Sequence, residues 1–264
     1  MASTTRQSLA KAVEAMAKEK KVSLKTAQDL FDAAVALDNS IQLRGALSDP
    51  SADDARREKL ANEVFKGLSA EAMKVILVLV GLRWSKPRDL AKSCESLAVT
   101  AVAMQLDSKK LQEVGEELYS VQSLIESNGE LELAMSTTRA SVDAKQKLVR
   151  KLIGEQLSDS AELLVMQAVH FAHKTSISQL LTNYGEVLAD QANRKIATVS
   201  VAKPLSDKQL KELQKQLSKA FDTELNINQE VDETIIGGMR VQVAGEVIDA
   251  TVSGKLTKAR LQLS

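Results

Sequence analysis

The segment Thr234–Leu263, TIIGGMRVQVAGEVIDATVSGKLTKARLQL, determines how the C-terminal part of the chain folds. Apolar and polar residues alternate from Met239 to Val243, which is the period of a strand with one buried face. The pair Ala244-Gly245 follows, where a tight turn belongs, and the apolar run resumes at Val247-Ile248. This order predicts a β-hairpin.

The spacing of the apolar residues changes after the hairpin. Val252, Leu256 and Leu263 recur at helical intervals, so we expect the last strand to lead into a closing helix. The pair Gly237-Gly238 lies just before the hairpin. Two glycines at that place indicate backbone that needs a positive φ or a close approach to another segment.

The unit that ends in this segment begins at about residue 196. Apolar and polar residues alternate from Ile196 to Val201 and again around Ile227, as they do in strands. Between these runs, Ser206 and Gln209 have the spacing of a capping box at the start of an amphipathic helix. The region 196–264 is therefore predicted to be an α+β domain with the order strand–helix–strand–strand–helix.

Length and composition limit the classes of protein to which the chain can belong. At 264 residues it exceeds the usual single-domain size, and 44% hydrophobic residues can form real cores. The presence of only 11 glycines and 3 prolines favours a mainly helical protein. A net charge of zero and an aromatic content of 3% give no reason to expect a nucleic-acid partner. The single cysteine, Cys94, excludes an internal disulfide and a multi-cysteine metal site, and we expect it to be a small apolar filler in a helix.

The chain up to residue 195 is predicted to be a helical bundle that contains an internal repeat. The segment 46–72 aligns with 134–161, with one residue inserted before Leu157. Chance similarity between amphipathic helices is the alternative, but shared loops and caps favour a true repeat, because periodicity alone would not align them. The identical pairs are Ala46/Ala134, Ser48/Ser136, Ala52/Ala140, Lys59/Lys147, Leu60/Leu148, Leu68/Leu157, Ser69/Ser158 and Ala72/Ala161.

A further helix is predicted between the two copies, with a heptad seam formed by Leu111, Val114, Leu118, Val121 and Ile125. It either bridges the copies or takes, in the second copy, the part of the first copy's opening helices. The predicted organisation is a first helical copy over residues 1–105, a second over 106–195 and the α+β domain over 196–264. The fold class is thus mainly α with a C-terminal α+β unit.

The C-terminal segment resembles the signature of the delta subunit of F-type ATP synthases, the homologue of the mitochondrial oligomycin sensitivity-conferring protein. The resemblance lies in the order Ile236-Gly237-Gly238, a strand, Val247-Ile248-Asp249, and a Ser-x-Lys-Leu motif that ends at Leu256. It is strong from about residue 196 onward and rests on helical pattern before that. The chain departs from the family's six-helix plan by carrying the core of the helical domain nearly twice, as longer actinobacterial delta subunits do.

The resemblance implies a non-catalytic stator subunit that links the catalytic head of the synthase to its peripheral stalk, so that proton-driven rotation is coupled to ATP synthesis. The implied partners are an N-terminal helix of an alpha subunit in the head and the b subunit of the stalk, with one copy of the chain per complex. The implied location is the cytoplasmic face of the cell membrane, as a peripheral protein. The rival interpretation is a free-standing helical adaptor or regulatory protein.

In the family, the alpha-subunit helix lies in a groove between the first and fifth helices of the N-terminal domain. In this sequence those helices are Ser3–Lys18 and Ala70–Arg83, if the first copy keeps the role. The apolar residues that the resemblance places in the groove are Leu9, Val13, Met16, Ile76 and Val80.

No pattern in the sequence predicts a catalytic residue, a bound cofactor or a metal. His170 and His173 lie three residues apart, but a metal would need further ligands, so polar residues at a bundle edge are the favoured interpretation. No phosphate-binding P-loop motif is present. Asp249 is predicted to be a turn or cap residue rather than an acid catalyst. Trp84 is predicted to anchor one end of the bundle, with a binding hot spot as the alternative.

The sequence also bears on the relation of the chain to membranes. The longest apolar run, Val75–Val80, continues past Gly81 to Leu82 and is shorter than the roughly 20 residues of a membrane-spanning helix. We therefore expect no direct insertion into a membrane. The N-terminus lacks the continuous apolar stretch of a secretory signal peptide.

Overall fold

A computed structural model describes residues 3–19, 22–137, 139–153, 156–173, 175–194, 196–222, 225–232, 234–243 and 246–251. These residues form two compact units: the first comprises residues 3–106 and 110–188, and the second comprises residues 107–109 and 189–251. The first unit is helical, and the second carries a small sheet, so the predicted fold class is confirmed. None of the described helices combines the length and the hydropathy that a membrane span requires.

The helices of the first part follow one another with short connections. They are α1 (Ser3–Ala17), α2 (Leu24–Asn39), α3 (Ile41–Ser48), α4 (Asp54–Val64), α5 (Ala70–Gly81), α6 (Pro87–Met104), α7 (Ser108–Ser127), α8 (Gly129–Ser136), α9 (Val142–Ile153), α10 (Asp159–Phe171) and α11 (Ile177–Arg194). The C-terminal unit contains β1 (Ile196–Val201), α12 (Asp207–Ala220), β2 (Asn226–Val231), β3 (Met239–Val243) and β4 (Glu246–Asp249).

Side-chain caps explain where several of these helices begin. The hydroxyl of Ser23 accepts the Thr26 amide at 3.2 Å, which starts α2 with a capping box. Ser69 accepts the amide of Ala72 at 3.4 Å and starts α5. Pro87 occupies the first turn of α6, where its missing N–H costs no helical hydrogen bond.

The core of the helical unit is centred on α2 and α6. These two helices pack closely, and the Sγ of Cys94 on α6 donates to the carbonyl of Leu30 on α2 at 3.3 Å. Small side chains permit this approach. The fully buried apolar residues of the pair are Ala27, Leu30, Phe31 and Ala34 on α2, and Leu90, Cys94, Leu97, Ala98, Val99, Ala101, Val102 and Ala103 on α6.

The internal repeat extends beyond the two aligned segments. Helix α3 begins at residue 41 and α8 at residue 129, α4 at 54 and α9 at 142, and α5 at 70 and α10 at 159. Ser69 and Ser158 cap equivalent helices, and Ser40 and Asn128 cap another equivalent pair. The order α2–α6 therefore recurs as α7–α11. Helix α7 occupies the place of α2, which is the second of the two roles considered for it.

Helix α6 has a place in both copies. At a spacing of 88 residues it aligns with α1, and the triplets Ser8-Leu9-Ala10 and Ser96-Leu97-Ala98 are identical, as are the pairs Ala15-Met16 and Ala103-Met104. It thus closes the first set of six helices and opens the second. Both copies lie in one compact unit. The predicted segment limits at residues 105 and 195 stay predictions.

The C-terminal sheet has the strand order β2-β1-β3-β4. Strand β1 pairs in parallel with β2, and α12 makes the connection that a parallel pair needs. Strand β3 runs antiparallel to β1 and to β4. The predicted hairpin strands are confirmed, while the turn at 244–245 and the closing helix with Leu256 lie outside the described residues. The core of the unit consists of Ala197, Val199, Val201, Leu217, Leu225, Val241 and Val243.

The backbone at Gly238 requires glycine for two reasons. Its φ is +82°, which L side chains rarely adopt, and a Cβ there would lie 2.5 Å from the carbonyl oxygen of Ala250. The amide of Ala250 also donates to the carbonyl of Met239 at 3.0 Å, so the segment after β4 is held against the start of β3. Both properties that the sequence predicts for this glycine pair are confirmed at Gly238.

We expect Gly238→Ala to destabilise the C-terminal unit by more than about 1 kcal/mol, because it combines backbone strain with a steric clash. Gly115→Ala is the control, since a Cβ at Gly115 meets nothing within 4 Å. That change in a helix should stabilise by about 0.5–1 kcal/mol. Urea unfolding followed by amide hydrogen exchange in β3 measures the first effect. Trp84 fluorescence, which reports only on the helical unit, should be unchanged by G238A.

A buried carboxylate joins α2 to the start of α5. Asp29 Oδ2 accepts the backbone amide of Ser69 at 2.8 Å, and Oδ1 lies 2.7 Å from the ammonium of Lys25. Burial alone would raise the pKa of Asp29, but the hydrogen bonds from Lys25 and Ser69 outweigh it and lower the pKa. At the equivalent position of the second copy, Glu117 accepts the amide of Ser158 at 3.1 Å from a more exposed site.

We expect Asp29→Ala to cost about 1–3 kcal/mol of stability, because it leaves a buried N–H unsatisfied. Glu117→Ala at the exposed equivalent should cost less than about 1 kcal/mol. Since folding lowers the pKa of Asp29, its contribution is present above the carboxyl's unfolded pKa and is lost as pH falls through the folded pKa. Urea unfolding against pH should show a difference between D29A and the unsubstituted chain that shrinks in acid. Equal losses for both variants would contradict the role of burial.

Candidate partner-binding surfaces

Helices α1 and α5 run antiparallel along one side of the bundle. At one end, the ammonium of Lys74 on α5 lies 2.8 Å from Oε2 of Glu19, just past α1. At the other end, the hydroxyl of Ser8 on α1 donates to the carbonyl of Arg83 at 2.6 Å. The two ends fix the pair in register. The outer surfaces of the two helices therefore keep a fixed position relative to each other, and we call the surface along their line of contact a seam.

The N-terminal half of α1 is also tied to the start of α6. The hydroxyl of Thr5 donates to Oδ2 of Asp89 at 2.6 Å and accepts the amide of Ser85 at 3.3 Å. Thr5 and Ser8 lie on one stripe of α1 with Ala12 and Met16, and all four are buried. This stripe faces the bundle. The neighbouring stripe of α1, which contains Leu9 and Val13, therefore borders the seam.

The five residues predicted for a groove divide into two groups in the structure. Met16, Ile76 and Val80 are 0%, 2% and 1% exposed, so they lie in the core of the bundle and present almost no surface. Leu9 and Val13 lie on the neighbouring stripe of α1 and are half-buried. Only these two can touch a partner without rearrangement. Whether any of the five binds one stays a prediction.

The surface residues of α5 were not among those predicted from the sequence. Leu77 and Val78 are half-buried. They lie about one helical turn after the exposed Lys74 and one turn before the exposed Gly81, so they are on the outer side of α5. A Cβ at Gly81 would meet nothing within 4 Å, so the seam is open there. The sequence feature that could have identified them is that α5 is apolar on all sides, so each side has to be covered by another element. We define the α1–α5 seam as Leu9, Val13, Leu77 and Val78.

Other residues singled out in the sequence have structural roles. Trp84 is 9% exposed, and its indole N–H donates to the carbonyl of Leu79 at 2.9 Å, so its predicted role as a bundle-end anchor is confirmed. Cys94 is fully buried, as expected of an apolar filler, and burial raises the pKa of its thiol to about 12. A thiol in this state is a poor nucleophile.

The two histidines lie where the copies meet. His173 Nε2 is 2.9 Å from Oδ2 of Asp38, at the end of α2. Partial burial and the neighbouring His173 lower the pKa of His170. Within the ranges that the structure describes, no three His, Cys, Asp or Glu side chains come together as a metal site would need.

A cleft of about 860 Å³ separates α6 from α11 beside these histidines. Polar and aromatic contacts cross it: the hydroxyl of Tyr184 donates to Oε1 of Glu95 at 2.6 Å, and the Tyr184 ring lies 6.5 Å from that of Phe31. These contacts connect the second copy to both α6 and α2. The cleft therefore belongs to the interface between the copies.

Three apolar signature residues of the C-terminal unit are a second set of candidate contact residues. Ile236 is 91% exposed, and Val247 and Ile248 on the edge strand β4 are 57% and 45% exposed. Asp249 accepts the amide and the hydroxyl of Thr251 at 2.9 and 2.6 Å, which confirms its predicted role as a turn residue. Exposed apolar side chains on a small domain mark an interaction surface. We call Ile236, Val247 and Ile248 the β4 patch.

Comparison with known proteins identifies the family. The model for the ATP synthase delta (OSCP) subunit matches residues 96–263. The chain is 37% identical over 265 residues to the ATP synthase subunit delta of Leifsonia xyli, with full coverage of both chains. It is 36% identical to that of Pseudarthrobacter chlorophenolicus, again over the whole of both chains. It is 31% identical to that of Thermobifida fusca, over 89% of this chain and 88% of the relative.

A solved structure of the Toxoplasma gondii mitochondrial ATP synthase hexamer contains a chain with a weaker likeness, at 20% identity and a TM-score of 0.33. That match covers 64% of this chain and 96% of the other. The family match and the curated relatives favour a stator subunit over the free-standing adaptor that the sequence left open. The chain belongs to the ATP synthase delta (OSCP) subunit family, and it is a non-catalytic stator subunit that links the catalytic head of the synthase to the peripheral stalk.

Proposed function

We propose that the α1–α5 seam receives an N-terminal helix of an alpha subunit and that the β4 patch contacts the b subunit of the stalk. The observation that carries the first contact is that two helices packed against each other both present half-buried apolar residues, Leu9 and Val13 on α1 and Leu77 and Val78 on α5. A seam of this kind fits the apolar face of an amphipathic helix. The chain is present once per synthase, at the cytoplasmic face of the membrane.

The buried residues of α1 and α5 determine how well the seam can serve as a mechanical contact. Met16, Ile76 and Val80 are almost completely buried, so a guest helix meets two helices that are already fixed in place. A preformed surface loses little conformational entropy on binding. This favours the slow dissociation that a stator needs, because the contact must hold while the rotor applies torque. A dissociation constant of about 1 nM or lower, near −12 kcal/mol, is appropriate for that task.

The β4 patch suits a second contact of a different kind. Strand β4 is the edge of the sheet, and its residues Val247 and Ile248 present side chains on both faces of that edge. Ile236 precedes β3 and adds the most exposed large apolar side chain of the described residues. An apolar edge left uncovered promotes aggregation, so a partner that covers it gains apolar contact area.

We expect Val13→Asp to weaken binding of a peptide comprising the alpha-subunit N-terminal helix by several kcal/mol, because the complex would bury an unpaired charge. Val64→Asp is the matched control, since Val64 is 43% exposed at the end of α4 and outside the seam. Calorimetric titration of the full chain measures both affinities. An unchanged affinity of V13D would place the alpha-subunit contact elsewhere.

We expect Ile236→Asp to weaken binding of a soluble C-terminal fragment of the b subunit by at least about tenfold, or 1.4 kcal/mol. Ile41→Asp is the matched control, because Ile41 is 71% exposed on α3 and lies outside the β4 patch. Both changes fall on exposed side chains, so each should alter folding stability by less than about 0.5 kcal/mol. Equal binding by I236D and I41D would remove Ile236 from the stalk contact.

A further inference from the structure

The repeat predicts a second seam equivalent to the first. Helix α6 repeats α1, and α10 repeats α5, so the equivalent of the α1–α5 seam lies between α6 and α10. Leu97 and Ala101 on α6 stand where Leu9 and Val13 stand on α1. If both seams were open, one chain would offer two sites to helices of the catalytic head.

The second seam is closed by the chain itself. Leu97 and Ala101 are 0% exposed, whereas Leu9 and Val13 are half-buried. Helix α2 packs along α6 and also contacts α10, so it lies against both helices of the second seam. The hydrogen bond from Cys94 Sγ to the Leu30 carbonyl shows how closely the backbone of α2 approaches α6.

Contacts at two further points hold α2 in this position. At its C-terminal end, Asp38 is paired with His173, which follows α10. In its middle, the Phe31 ring lies 6.5 Å from the ring of Tyr184 on α11. Phe31 is fully buried, so α2 cannot leave the seam without exposing a large aromatic side chain.

We infer that the doubled bundle offers one groove to a helix of the alpha subunit, the α1–α5 seam, because α2 occupies the equivalent groove between α6 and α10. This inference rests on the proposed function for the identity of the guest. Its structural part, the closure of the second groove, is independent of that function. The duplication therefore adds a helical copy without adding a second site of the same kind.

Thiol labelling tests the closure without any partner. Cys94 lies under α2, and the equivalent position on α1 is the exposed Arg6. We expect maleimide to label Cys94 in the full chain at least about 10³-fold more slowly than the thiol of the R6C/C94S variant, because reagent reaches Cys94 only after local opening. In denaturant the two rates should be equal. Native rates within about tenfold of each other would show that α2 leaves the seam, and would overturn the inference.

Peptide stoichiometry tests the number of sites. Calorimetric titration of the full chain with the alpha-subunit N-terminal peptide should give one peptide per chain, and a scrambled peptide should give no binding. Val78 on α5 and Gln167 on α10 occupy equivalent positions, and both are half-buried. We expect Val78→Asp to weaken binding at least about tenfold and Gln167→Asp to change it less than about twofold.

The outcomes separate the two claims. Two peptides per chain, or weakened binding in the Q167D variant, would overturn the inference of a single groove. No peptide binding together with slow labelling of Cys94 would overturn the proposed alpha-subunit contact and leave the closure of the second groove standing. Circular dichroism of each variant confirms that it folds.

Discussion

The helical part of this chain depends on the burial of one helix, α6, on nearly all sides. Its alanines and Cys94 allow α2 to approach until the thiol reaches a main-chain carbonyl. On a neighbouring side of α6, Glu95 accepts the hydroxyl of Tyr184 on α11. Burial of apolar area is the main stabilising term in a bundle, and α6 supplies it chiefly to the first copy, where it packs against α1, α2, α3 and α5. Removal of those helices would expose most of the apolar surface of α6 to water.

The two copies share their elements but differ in their surfaces. Phe31 of α2 is fully buried, while Tyr119, its equivalent on α7, is 69% exposed. Ala27 and Ala34, which are fully buried, correspond to Gly115 and Gln122, which are half-buried, so this side of α2 is packed more tightly than the equivalent side of α7. After the duplication, α2 of the first copy has an interior role, whereas its equivalent α7 is more exposed. The α1–α5 seam also belongs to the first copy, and its four residues are only half-buried.

Much of this arrangement could be predicted from the sequence, because it is encoded locally. Ser23, Ser69 and Ser206 are recognisable caps, and each begins a helix where the pattern places it. The alternation of apolar and polar residues in β1 and β3 matches the structure, because one face of each strand is buried in a small core. The need for glycine at position 238 is also local, because it follows from the positive φ of that residue and from one close backbone contact.

The remainder depends on which apolar stripe faces which neighbour, and this is decided by packing at long range. Val13 and Met16 lie on adjacent stripes of α1, and the sequence does not say that the second is the one turned inward. The double role of α6 was also missed, because only five residues of α1 recur in it and they are not contiguous. The turn at 244–245 and the closing helix are predictions that lie outside the described residues.

The sharing of α6 also has an elastic consequence. A helix of 18 residues is about 27 Å long and is held by a continuous ladder of main-chain hydrogen bonds. The first copy packs along this helix, and Tyr184 of the second copy donates a hydrogen bond to its Glu95, so both copies are attached to one continuous backbone segment. A force applied to one copy can therefore reach the other through that segment.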